Sequence, residues 1–158
     1  LKPHLSTAAT LSVNSAFLGL VLVAVFALTG CFFTHEPKDA AGLAACYRRQ
    51  FGIPPPPSVA GLQAKELVVQ DTGAEWLRFK ADAAVVDEII AMGFVASSRA
   101  EFSRETAGAN TPSWWKPDAD GLTHYYIHQK WPSQFLHSVA VLAHDKEKHV
   151  VYFQHEDF

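Results

Sequence analysis

The stretch KELVVQDTGAEWLRFKADAAVVDEIIAMG, residues 65–93, decides the fold class. Residues 65–71, KELVVQD, read as a strand, and Asp71-Thr72-Gly73 reads as a turn. Residues 75–80, EWLRFK, then alternate: Trp76, Arg78 and Lys80 on one face, Leu77 and Phe79 on the other. After Lys80 the period changes. Asp82 is a candidate N-cap, and Val85, Val86, Ile89, Ile90 and Met92 form the stripe of a helix laid on a sheet. Asp87 and Glu88 point away from that stripe, and Gly93 can close the helix. Two strands followed directly by an amphipathic helix predict a hairpin with a helix packed across it.

Working outward, residues 97–123 show no clear period and read as a long loop, which is unusual unless it is functional or mobile. Beyond it, residues 124–129, 135–144 and 149–155 are strand-like. The polar Asp145-Lys146-Glu147-Lys148 joins the last two as a hairpin. Pairing His144 with His149 puts Leu142 beside Val151 and Ala140 beside Phe153, and both faces are apolar enough to be covered. On the N-terminal side, Asp39 reads as the N-cap of a helix over residues 40–51, with Leu43, Tyr47 and Phe51 on one face and Gly52 closing it. Pro54 to Pro57 follow as a semi-rigid polyproline II spacer. The fold class is therefore α+β. An antiparallel sheet of about five strands carries one packed helix, preceded by an N-terminal signal or anchor helix and a short helix. The predicted organisation is a leader over 1–30, a tether with helix and spacer over 31–61, and a globular domain over 62–158.

The 158 residues carry a formal net charge of −3, which gives no basic footprint for nucleic acid. Charged residues make up only 18% and aromatics reach 12%, so the chain is not of the disordered type. Two cysteines cannot build a disulfide scaffold. Eighteen of the first 30 residues are apolar, concentrated in AFLGLVLVAVFA, residues 16–27. This run suits the core of a secretory signal. Extended through Phe33, it also approaches the length of a retained membrane span.

Leu28-Thr29-Gly30-Cys31 follows that run, and it resembles the lipobox of bacterial lipoprotein precursors. The resemblance covers residues 1–31. It implies cleavage between Gly30 and Cys31 and a covalent lipid on the Cys31 sulfur; from the rest of the chain no cofactor is expected. It also implies a bacterial cell-envelope location with the domain outside the cytoplasm. Phe32 after the cysteine is not the usual inner-membrane retention residue Asp, which implies the outer membrane in a Gram-negative cell. Several acyl chains on one residue anchor firmly, since each buried CH₂ contributes about 0.8 kcal/mol. The rest of the chain resembles uncharacterised bacterial lipoproteins only in general outline.

No catalytic signature is present: Ser103, Ser113, Ser133 and Ser138 lack a nucleophile-elbow context. Six of the eight histidines lie in the last 35 residues. His124 and His128 share a strand face but stand about 13 Å apart. His144 and His149, directly opposite at about 5 Å between Cβ atoms, are weak metal candidates, or else a solvated pair at a hairpin end. Trp114, Trp115 and Trp131 sit among Pro112, Pro117 and Pro132. Exposed, they would form a binding surface; buried, they would plug the sheet. The expected role is a membrane-anchored binding or interaction module for an envelope protein or small ligand. The alternatives are a metal-dependent envelope enzyme using the histidine-rich hairpin and a single-span accessory subunit retaining residues 16–33.

Overall fold

A computed structural model describes residues 32–70, 72–108, 110–133 and 137–158. The apolar leader, Gly30 and Cys31 lie outside them. The chain runs β1 (Phe32–His35), α1 (Ala40–Phe51), β2 (Ala60–Val69), β3 (Thr72–Lys80), α2 (Ala83–Ile90), β4 (Val95–Ser97), α3 (Arg99–Glu105), β5 (His124–His128), β6 (Ser138–Asp145) and β7 (Val150–Asp157). The strands form one sheet in the order β1-β2-β3-β7-β6-β5-β4. The pairings from β2 through β3, β7, β6 and β5 to β4 are all antiparallel. The α+β class holds; among the described residues the sheet has seven strands in place of about five, and α3 joins the expected short helix and packed helix.

Local chemistry accounts for the helix ends. Asp39 accepts from the Gly42 amide at 2.8 Å, and Gly52, at φ 74°, caps α1 through a 2.8 Å bond to the Arg48 carbonyl. Asp82 caps α2 by accepting from the Val85 amide. Gly93, at φ 115°, follows α2, and a Cβ there would come within 2.8 Å of His128 Nε2.

The first strand is longer than its apolar run suggests, because β2 begins at Ala60 and crosses an irregularity between residues 60 and 63. The first hairpin turns earlier than Asp71-Thr72-Gly73 implies. Val69 pairs with Thr72, Gln70 takes φ 55°, and Gly73 lies within β3 opposite Val68. In the last hairpin Asp145 pairs with Val150, so His144 faces Val151 and not His149. The cause is the Asp145 side chain, which accepts from the amides of Glu147 and Lys148 at 3.0 and 2.8 Å. His149 at φ 56° completes the turn. The register moves by two, an even number, so every side chain keeps its expected face.

Each face of the sheet is covered. On one, α1 and α2 bury Tyr47, Phe51, Val86 and Ile89 against Leu77, Phe79, Leu142, Val151 and Phe153. On the other, Phe102 of α3 and Leu122 pack on Ile127, Val141, Ala143 and Tyr152. The aperiodic segment 97–123 thus contains the end of β4 and all of α3. It is pinned to the sheet by Asp120, whose Oδ2 accepts from Tyr152 Oη at 2.7 Å and Arg78 Nη2 at 3.0 Å. Among the described residues no helix is long and apolar enough to cross a membrane.

Candidate functional site

The register carries one polar row across the face that α1 covers. Glu66 of β2 pairs with Glu75 of β3, Glu75 with His155 of β7, and His155 with Ala140 of β6. The row lies one step beyond the Leu77–Phe153 pair, where the apolar core ends. The last turn of α1 closes over it with Arg49 and Gln50, completing a cleft of about 420 Å³. Asp157 and Pro132 also line it.

Glu75 is the centre of this cleft. It is only 5% exposed. Its Oε2 accepts from Arg49 Nε at 3.0 Å and Gln50 Nε2 at 2.8 Å. Its Oε1 is buried and has no hydrogen-bond partner among the described residues. Burial pushes this carboxyl above its ordinary range, against the pull of Arg49 and Gln50. Opposite it, burial pushes His155 below the ordinary histidine value, while Asp157, 3.0 Å from Nε2, works the other way. Cys46, a buried free cysteine 3.7 Å from Arg49 Nη2, has its thiol raised to about 11 chiefly by burial. Burial thus disfavours the charged form of both groups, the Glu75 carboxylate and the His155 imidazolium, and paired perturbed groups lining a cleft are a pattern found at polar ligand sites.

The structure does not bring the three singled-out tryptophans together. Trp131 is 5% exposed and belongs to the core under α1. Trp115 is half-buried on the opposite face, edge-on to Tyr152 at 5.1 Å. Trp114 is also half-buried, and its Nε1 donates to Glu36 Oε1 at 2.9 Å. Trp114→Ala removes that exposed bond and one edge-on contact with Trp115, so it should lower stability by about 1 kcal/mol or less. Thermal denaturation checks this; a loss above about 3 kcal/mol would identify a core residue.

His144 and His149 are also apart in character. His149 is exposed in the turn, whereas His144 is 2% exposed and stacks at 4.8 Å on the ring of His124, its true cross-strand partner. Among the described residues, no three His, Cys, Asp or Glu side chains converge as metal ligands.

Sequence reasoning passed over Glu75 and His155. The signal was present as a phase: Glu75 alternates in step with Leu77 and Phe79, and His155 with Val151 and Phe153. A charged residue in the buried phase is costly and calls for a partner. No protein-family model, curated protein or solved structure matches the chain.

Proposed function

We propose that this chain is a lipid-anchored binding module of a bacterial cell envelope. Acyl chains on Cys31 hold it to the membrane, and the cleft beneath the end of α1 receives a small ligand. The observation that carries the binding reading is Glu75 Oε1, a desolvated acceptor beside an open cleft that has no partner among the described residues. Buried acceptors are normally satisfied, so an exception at a cleft wall suits an external donor. The lipobox-like Leu28-Thr29-Gly30-Cys31 supports the anchor.

Two measurements test the two halves. Intact mass of the membrane-extracted protein should give an amino terminus at Cys31 with added acyl mass; a retained leader rejects the anchor in favour of a membrane span. For the cleft, a panel of small cationic, anionic and neutral fragments is screened by ligand-observed magnetic resonance against the wild type and Thr72→Trp. Thr72 lines the cleft from an exposed position, so the indole fills its mouth. At least one fragment should bind the wild type and be lost in the variant. No binding, or equal binding to both, rejects the cleft as a site.

A further inference from the structure

Charge in the cleft is uneven. Among the described residues that line it, Glu66, Glu75 and Asp157 face a single cation, Arg49. That guanidinium is already engaged by the protein. Its Nε meets Glu75 Oε2 at 3.0 Å, and its Nη2 meets Glu66 Oε2 at 3.2 Å and lies 3.7 Å from Cys46 Sγ. An incoming anion would find its charge compensated twice over. The carboxylates are not so matched. Glu75, nineteen-twentieths buried, keeps Oε1 without a partner among the described residues, and this atom distinguishes the cleft from an ordinary solvated acidic cluster.

Arg49 itself shows what such a site accepts. Its side chain is 48% exposed, so a long flexible arm reaches inward from the rim and sets its planar head between two acidic side chains. This is the geometry of a tethered ligand, held by charge-assisted hydrogen bonds. Among the described residues the acidic groups do not converge to metal-ligand distances, and acceptors spread in this way suit the separated donors of an organic cation.

Resting on the reading of the cleft as a binding site, we infer that its ligand is an organic cation. A primary ammonium or guanidinium group on a short chain takes Glu75 Oε1 and Glu66 as acceptors and displaces the Arg49 head. In the unliganded protein Arg49 competes for the same carboxylates.

The test is titration calorimetry on the full chain in detergent. Agmatine, carrying one ammonium and one guanidinium, and putrescine, carrying two ammonium groups, are the cationic probes. Succinate is the anionic control. At least one cationic probe should bind and succinate should not. Glu75→Gln, which keeps the side-chain shape, should weaken cation binding about tenfold or more, the scale of one charge-assisted bond. Glu66→Gln, at a more exposed position, should weaken it about threefold and serves if Glu75→Gln does not fold. Arg49→Gln removes the internal competitor and should strengthen binding severalfold. The inference is overturned if neither cation binds, if both glutamine replacements of glutamate leave affinity unchanged, or if Arg49→Gln weakens it. Succinate binding that is lost in Arg49→Gln would overturn the cation assignment while leaving the cleft as a site. Silence of these probes together with a fragment panel lacking any Thr72→Trp-sensitive hit would remove both.

Discussion

Trp131→Ala should destabilise the fold by about 3–5 kcal/mol, the range for truncating a fully packed Trp. The indole sits in an aromatic cluster, with ring centroids 5.2 Å from Phe94, 5.4 Å from Phe153 and 6.3 Å from Phe51. The His128 ring stands edge-on at 5.3 Å. Truncation removes all four contacts and leaves a cavity bounded by α1, the end of α2 and the sheet. Two polar links go with it or loosen. Trp131 Nε1 donates to Gln50 Oε1 at 3.1 Å, and its carbonyl accepts from the Ser138 hydroxyl. Gln50 in turn donates to Glu75, so the substitution should also disorder the cleft wall. Trp131→Phe keeps most of the ring area and loses the Nε1 bond, so its cost should fall to about 1–2 kcal/mol. Urea denaturation measures both. A cost below about 1 kcal/mol for Trp131→Ala would put this residue on a surface after all.

The second large effect is a loss of stability on mild acidification, read through His144. Burial, reinforced by the stacked His124 ring and by Lys146, lowers its imidazole to about 4 against the opposing pull of Asp87 and Asp145. In the unfolded chain the same group titrates near its ordinary 6.5. Between these values the unfolded state binds the proton and the folded state does not. The stabilising contribution is therefore complete above pH 6.5, falls as pH drops toward 4, and is level below. The full difference is about 3 kcal/mol, at 1.36 kcal/mol for each pH unit between the two values. Its Nε2 has no hydrogen-bond partner among the described residues, so the charge, once formed, is offset only by the more distant pull of Asp87 and Asp145. His155, also depressed by burial, adds in the same direction. Glu75 acts oppositely: its carboxyl is raised, so it loses stability as pH rises above the unfolded carboxyl value of 4.5. Comparing the wild type with His144→Phe separates these contributions, because Phe keeps the stack with Tyr126 and His124 and does not titrate. Urea midpoints from pH 4 to 7 should show a steep wild-type slope that flattens in the variant. Parallel slopes would mean that His144 is solvated and charged in the folded protein.

Much of the framework follows from local chemistry alone. Asp39 and Asp82 start helices and Gly52 ends one because capping depends on a side chain and an amide two or three residues apart. The faces of β3, β6 and β7 were legible for the same kind of reason, since alternation of Leu77 and Phe79, or of Leu142 and Phe153, needs only a period of two. The missed elements were short. β4 has three residues and α3 has seven with a single buried residue, Phe102, too few for a period to register. Ser98 and Glu101 nevertheless form the start of a capping box, a sign of α3 that apolar counting overlooks.

By itself, the sequence determined the α+β class, where α1 and α2 start, and which apolar side chains of the long strands turn inward. The lipobox-like segment, residues 28–31, and the anchor we propose on it depend on no fold at all. Register and partnership came from the tertiary structure. Whether His144 meets His149 or His124 depends on a turn set by Asp145 and on a strand that arrives from some twenty residues upstream. The cleft is a still longer-range product, because Arg49, Glu66, Glu75 and His155 meet only when β7 inserts between β3 and β6 and α1 folds back over them. Helix caps and strand phases are interactions between near neighbours and can be read from a line of residues. A buried carboxylate facing an imidazole eighty positions away is an interaction between strands, and only the assembled sheet brings it into being.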